Sequence, residues 1–274
     1  MSDMSKIHLV FVGDIMQHPG QLDFEKSRGY TYEGVFDEVS QLFKGADAVI
    51  GNLETNFAGF RDAPEPRTGI FDAPDIFAGA LRNAGFTHLA VNNNHMYDKG
   101  KAGHARTLLV IEDNGMQVID GTLWNTINDV GVEFYNFTTH VNGTREHPID
   151  IPDADPDVKI RIALPHWGGQ YTFEPEIDQH SYLDILVNKG YNMIIGSGPH
   201  TVHSVALKGD NLVAWSLGDF LSAHDKEGST DLGMILSVII DDNKLKKVTT
   251  YNTTTVTVAG QSTIKVTGKS RMMI

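Results

Sequence analysis

Six short stretches of this chain end an apolar run with a group that can hold a cation or move a proton. They are Asp14 in Gly13-Asp14-Ile15-Met16, Glu54 in Gly51-Asn52-Leu53-Glu54, and Asn94 with His95 in Asn92-Asn93-Asn94-His95. His166 in Pro165-His166-Trp167-Gly168, His200 in Gly198-Pro199-His200 and Asp219 in Gly218-Asp219-Phe220 complete the set. Carboxylate and amide oxygens suit hard or borderline cations, and imidazole either binds a metal or transfers a proton. Asp98 lies three residues after His95. Taken singly, each stretch reads equally well as a turn, because Asn tolerates the left-handed region and Asp caps the turn after a strand. Repetition decides between the readings. One candidate ligand recurs at each strand end, at the edge where open α/β sheets keep their ligands. Asn52, His18 and His203 are additional candidates, although no spacing rule selects them.

Those groups need strands to carry them, and hydrophobic periodicity supplies the strands. Residues 7–12 form the nearly continuous apolar run of a buried parallel strand. Further strands are expected over 48–50, 87–91, 116–119, 161–164, 193–195 and 212–217. Between them, Val35, Phe36, Val39 and Phe43 share a helical face over 33–44, stopped by Gly45. Pro74 opens a helix through Phe77 and Leu81 to Gly85, and further helices end at Gly115 and Gly190. Such alternation points to βαβ units and a mostly parallel sheet. Residues 57–71 read as a long loop over the site, and 141–158 as an acidic, proline-broken insertion with the composition of disorder. From Leu232 onward the pattern has period two and predicts antiparallel hairpins that extend or cover a second sheet. The whole chain, 1–274, is expected as one domain, with the motifs in 7–222 and the C-terminal strands in 232–274.

Composition narrows the chemistry. The chain has no cysteine, so any metal must use His, Asn and carboxylate ligands, a set that serves Mn, Fe or Zn alike. A net charge of −13 repels nucleic-acid phosphates and anionic membranes, so neither is expected as a partner. An anionic substrate, small molecule or polymer, would need cations at the site. No segment approaches 18 apolar residues, which predicts a cytoplasmic protein without a membrane span. Nothing in the pattern fixes an oligomeric state.

The ordered motifs resemble the CapA family of capsule or poly-γ-glutamate biosynthesis proteins. The resemblance rests on Gly-Asp-x-Met (13–16), Gly-Asn-Leu-Glu (51–54), Asn-Asn-His-x-x-Asp-x-Gly (93–100), His-Trp-Gly (166–168), Gly-x-x-Pro-His-x-Val (196–202) and Ser-Leu-Gly-Asp-Phe (216–220). It implies a calcineurin-like metallophosphoesterase sandwich, an α/β fold with two mixed β-sheets face to face and helices outside. It also implies a two-metal centre. By position, Asp14 and His200 would hold one divalent ion, Asn94 and His166 the other, and Glu54 would bridge them. His95 would be the proton donor, with Asp98 behind it. The implied activity is a metal-dependent phosphoesterase. A non-catalytic polymer-handling protein and a γ-glutamyl or peptide hydrolase are the alternatives.

Two departures from the related phosphoesterases stand out: Met16 replaces a His after the first Asp, and Gly198-Pro199-His200 replaces His-Pro-His. The missing imidazole at 198 predicts one ion held more loosely than the other. Gly198→His is expected to restore it unless the backbone there needs the positive φ that glycine allows.

Overall fold

The computed structural model describes residues 6–59, 69–141, 144–145, 149–223, 231–258 and 260–272. Its larger sheet contains β1 (Ile7–Ile15), β2 (Ala48–Leu53), β3 (His88–Ala90), β4 (Gln117–Ile119), β13 (Asp219–Leu221), β14 (Leu232–Asp241), β15 (Lys244–Val258) and β16 (Gln261–Met272). The spatial order is β16-β15-β14-β1-β2-β3-β4, with β13 also paired to β1. The second sheet, in the order β11-β12-β10-β9-β6-β5, contains β5 (Gly121–Ile127), β6 (Val130–Thr138), β9 (Ile160–His166), β10 (Met193–Ile195), β11 (Val205–Lys208) and β12 (Asn211–Ala214). A small ribbon pairs β7 (His140–Val141) with β8 (Thr144–Arg145). Five helices accompany them: α1 (Pro19–Ser27), α2 (Asp37–Phe43), α3 (Ile76–Ala84), α4 (Gly100–Asp113) and α5 (Ile177–Asn188).

β1 to β4 are mutually parallel, as the βαβ pattern predicts, and so are β6, β9, β10 and β12. Both sheets are nevertheless mixed, because β5 and β11 are antiparallel and β14 runs against β1. The C-terminal hairpins therefore extend the first sheet rather than a second one. Asp242 and Asn243, both at positive φ, form the tight turn between β14 and β15, a geometry that these residue types tolerate best.

β1 shows how the sequence builds the layers. Leu9 and Phe11 face Phe134, Ile162 and Leu236 between the sheets, while Val10 and Val12 join Phe43, Phe77 and Phe220 under the outer helices. A strand buried on both faces has no reason to alternate with polar residues, hence the apolar run. On the outer side of the second sheet, Tyr182 and Leu186 of α5 pack with Ile194, Val213 and Trp215.

Several expected boundaries shift. α1 follows the His18-Pro19 junction, where His18 N–H donates to Gln21 Oε1 at 2.8 Å. The helix expected over 33–44 is confined to Asp37–Phe43. Within the 141–158 insertion, residues 149–158 are anchored to the domain: Ile151 and Ala154 are buried, and Ala154 N–H donates to the Lys189 carbonyl. Residues 142–143 and 146–148 of that insertion, and 60–68 of the loop expected over the site, lie outside the described residues. Among the described residues no helix is long and apolar enough to cross a membrane.

His88 gives the scaffold a pH dependence. Its Nδ1 lies 2.7 Å from Thr87 Oγ1 and its Nε2 lies 2.8 Å from the Asn125 amide nitrogen. Thr87 gives its own hydrogen to the Val49 carbonyl, so Nδ1 carries the ring proton and Nε2 accepts, which describes a neutral imidazole. Burial pushes its pKa down from 6.5 to about 4. The unfolded chain then binds the extra proton first, so stability is flat above about pH 6.5 and falls as pH drops toward 4. Urea unfolding at pH 7.5 and pH 4 should show the wild type losing about 2–3 kcal/mol more than His88→Gln. Equal losses would contradict this.

Candidate metal centre

The candidate residues lie at the carboxyl ends of the parallel strands, where two Gly-Asp pairs meet. Asp14 on β1 is in register with Asp219 on β13 and with Asn52 on β2. Asp14 N–H donates to the Gly218 carbonyl at 2.9 Å. A Cβ on Gly13 would lie 1.9 Å from that same carbonyl oxygen, so glycine is the residue that lets the two strand ends touch. The contact sets Asp14 beside Asp219.

Asp14, Glu54 and His200 are buried, and one ligand atom from each falls within 4.8 Å of the others. His200 Nδ1 lies 2.9 Å from Asp219 Oδ1 and 3.1 Å from Asp14 Oδ2. Its single Nδ1 hydrogen serves Asp219, which leaves Asp14 Oδ2 charged but without a hydrogen bond. His166 Nδ1 lies 3.3 Å from Glu54 Oε1 and 3.2 Å from Ser197 Oγ. The amide nitrogen of Asn52 stands among them, 2.8 Å from Asp14 Oδ1, 2.7 Å from Glu54 Oε1 and 3.3 Å from His166 Nδ1. Six of the sequence-derived candidates, Asp14, Asn52, Glu54, His166, His200 and Asp219, therefore share one buried cluster.

The Asn-Asn-Asn-His turn adjoins it. Asn93, to which the sequence assigns no role, is buried; it donates to the Leu53 carbonyl at 2.7 Å and accepts His95 N–H at 3.0 Å. Asn92 pairs with Asn136 on the second sheet, N–H to Oδ1 at 2.7 Å. The only sequence signal for both was the triple Asn itself, and Ser197 carried none. His95 Nδ1 lies 3.0 Å from Asp98 Oδ2, an oxygen that also accepts Phe71 N–H at 2.8 Å. Asp98 thus fixes the imidazole, whose Nε2 lies 3.3 Å from the Asn94 amide nitrogen.

His203 and His18 stand apart from the cluster. His203 Nε2 points to the Thr172 carbonyl at 2.8 Å, and His18 Nε2 to Ser222 Oγ at 3.3 Å. Gly198 adopts φ +111, and a Cβ there would lie 2.8 Å from the Trp167 carbonyl oxygen. The expectation that Gly198→His restores an ion is overturned, because the turn needs glycine. His200 itself sits at φ +58, a strained conformation for a non-glycine residue.

The electrostatics fit a cation. Burial pushes the Asp14 carboxyl up, but the positive charge of the adjacent His200 ring, with help from His166, holds it down at about 2. Burial and the neighbouring Asp14 charge raise Glu54 well above its ordinary value. Burial lowers His166 to about 3 and keeps it neutral, the state a ligand needs. For His200, the pull of Asp219 and Asp14 exceeds the burial cost and keeps the ring protonated. Three buried carboxylates thus face one imidazolium. Asp14 Oδ2, Glu54 Oε2 and Asn94 Oδ1 are shielded and accept no hydrogen bond among the described residues. Oxygens left this way are costly unless a cation serves them.

The model of the bacterial capsule synthesis protein family PGA_cap matches residues 8–122 and 136–224. The chain belongs to that family. A capsule biosynthesis protein CapA from Bacillus anthracis is 26% identical over 248 residues, covering 79% of this chain and 60% of its own. The PGA biosynthesis protein CapA of Bacillus subtilis is 24% identical over 238 residues, covering 77% of this chain and 62% of its own. This PGA_cap chain thus spans under two thirds of both relatives. A phosphatase structure from Mycoplasma pneumoniae superposes with TM-score 0.50 at 14% identity, covering 96% of this chain and 94% of that one. The fold is the calcineurin-like phosphoesterase sandwich.

Glu54 separates a cation site from a merely structural cluster. Glu54→Gln removes a buried carboxyl whose charged form burial and Asp14 disfavour, so the metal-free variant should match or exceed the wild type in stability at pH 7. Mn²⁺ at about 100 times its Kd should stabilise the wild type by about 2.7 kcal/mol and leave the variant unmoved. Thermal unfolding with and without Mn²⁺ reads both. An equal shift in the two proteins would remove Glu54 from the site.

Proposed function

We propose that this protein is a metal-dependent phosphoesterase with two ions at the strand ends. The reading is supported chiefly by the unserved oxygens of Asp14 and Glu54, gathered at one buried cluster with His166 and His200, and by the unserved Asn94 oxygen on the adjoining turn. Asp14 and His200 would hold one divalent ion, Asn94 and His166 the other, with Glu54 between them. Bound ions of this kind lower the pKa of water toward neutrality and neutralise charge on phosphoryl oxygens.

The chain's own residues do the rest. Asn52 donates to one oxygen each of the Asp14 and Glu54 carboxylates and holds them together, and Asp219 fixes the His200 ring through Nδ1. His95, anchored through Nδ1 by Asp98, gives a proton from Nε2 to the leaving oxygen. The substrate is a small or polymeric anion. In a chain of net charge −13 the ions themselves supply its attraction.

A second reading keeps the fold with little turnover, in capsule or poly-γ-glutamate handling. Met16 and Gly198, which occupy positions where imidazoles are expected, favour it. A γ-glutamyl or peptide hydrolase would use the same water chemistry against a carbonyl.

His95→Gln should cut hydrolysis of a generic phosphodiester such as bis(p-nitrophenyl) phosphate by roughly 10²–10⁴-fold. Metal content, measured on the same samples, should stay constant. Metal lost along with activity would make His95 a ligand, and unchanged activity would make it a turn residue. A wild type that binds metal yet cleaves no phosphoester would favour the second reading.

A further inference from the structure

At the opposite end of the sandwich the two sheets part around a cleft of about 650 Å³. β9 runs from this cleft at Ile160 to the metal centre at His166, which separates the two by about 20 Å at the usual rise per strand residue. The floor is the exposed end of the inter-sheet core, with Met193, Leu212 and Ile240 buried beneath it. Two hairpin turns form its walls, Gly209-Asp210 between β11 and β12 and Asp242-Asn243 between β14 and β15.

The rim is cationic in an acidic protein. Lys159, Arg161 and Lys244 line it, against the carboxylates of Asp210 and, in the adjoining turn, Asp242. Lys159 and Lys244 form no ion pair among the described residues. Arg161 is in register with Glu133, but that carboxylate accepts Asp155 N–H at 2.7 Å, and Arg161 Nε is shielded from solvent with no acceptor. A shielded guanidinium nitrogen without a partner is as costly as the unserved oxygens at the other end. Asn192 does not supply one, because its side chain is committed to the Arg161 N–H and the Lys159 carbonyl.

We propose that this cleft is a second binding site, for a small organic anion with a carboxylate head and an aliphatic body. The volume falls within the range of small-molecule sites. The apolar floor accepts the body, and the cations of the rim accept the head. Charge complementarity selects the anion: such a ligand is repelled by the rest of this surface and attracted here.

Isothermal titration of the metal-free protein with octanoate tests it, with 1-octanol and acetate as the apolar and charged halves alone. Octanoate should bind saturably at one site, and each half should bind at least about ten-fold more weakly. Lys159→Gln/Lys244→Gln, whose side chains lie on the exposed rim, should weaken octanoate by about ten-fold and leave the unfolding temperature unchanged. Binding by the variant at wild-type affinity, 1-octanol binding as tightly as octanoate, or no saturable binding would each overturn the assignment. Leu212→Trp, which fills the floor, should abolish binding; retention there would place the ligand elsewhere.

Discussion

The rest of the structure depends on the burial of Asp14, Glu54 and Asp219 against a single protonated imidazole. Carboxylates out of water are tolerated only when paired and hydrogen-bonded, and here the pairing is incomplete. Asn52 serves one oxygen each of Asp14 and Glu54, and His200 serves Asp219. Asp14 Oδ2 and Glu54 Oε2 are the unserved part. A fold that buries such a group spends stability that a cation would return, which is the physical meaning of the site.

Holding that cluster together explains much of the architecture around it. The strand ends must approach more closely than side chains permit, hence Gly13 against the Gly218 carbonyl. The two sheets must present their edges at one level, hence the Asn92–Asn136 clamp and the Asn136 amide reaching the Leu164 carbonyl at 2.7 Å. Trp167 lies buried behind His166 and His200, donating to the Trp215 carbonyl at 2.9 Å. Gly196 and Gly198 let the turn after β10 pass over that indole and its backbone. Aromatic contacts such as Phe43–Phe86, at 5.4 Å between ring centroids, stiffen the helical layer outside β1 and β2.

How much of this was legible in the sequence depends on the signal each residue leaves. Strands buried on both faces announce themselves as apolar runs, so β1, β2, β9 and β10 were readable, and with them the sites of Asp14, Glu54, His166 and His200. β5 and β6 were not, because Trp124 is exposed on an edge and Glu133 and Asn136 interrupt a buried strand. α1 has Gln21 and Glu25 on its buried side and no apolar stripe to betray it. Supporting groups such as Asn93 and Ser197 act through single hydrogen bonds fixed by tertiary contact, which no spacing encodes. The need for glycine at 198 was invisible for the same reason, since φ is a property of the folded turn.

The central claim is that the strand-end cluster is a cation site and not a buried polar accident. Anomalous diffraction from crystals grown with Mn²⁺ measures it directly. The account predicts two peaks, one against Asp14 and His200, the other against Asn94 and His166, with Glu54 between them. Manganese bound only elsewhere, or a cluster with no anomalous peak at millimolar Mn²⁺, would contradict it.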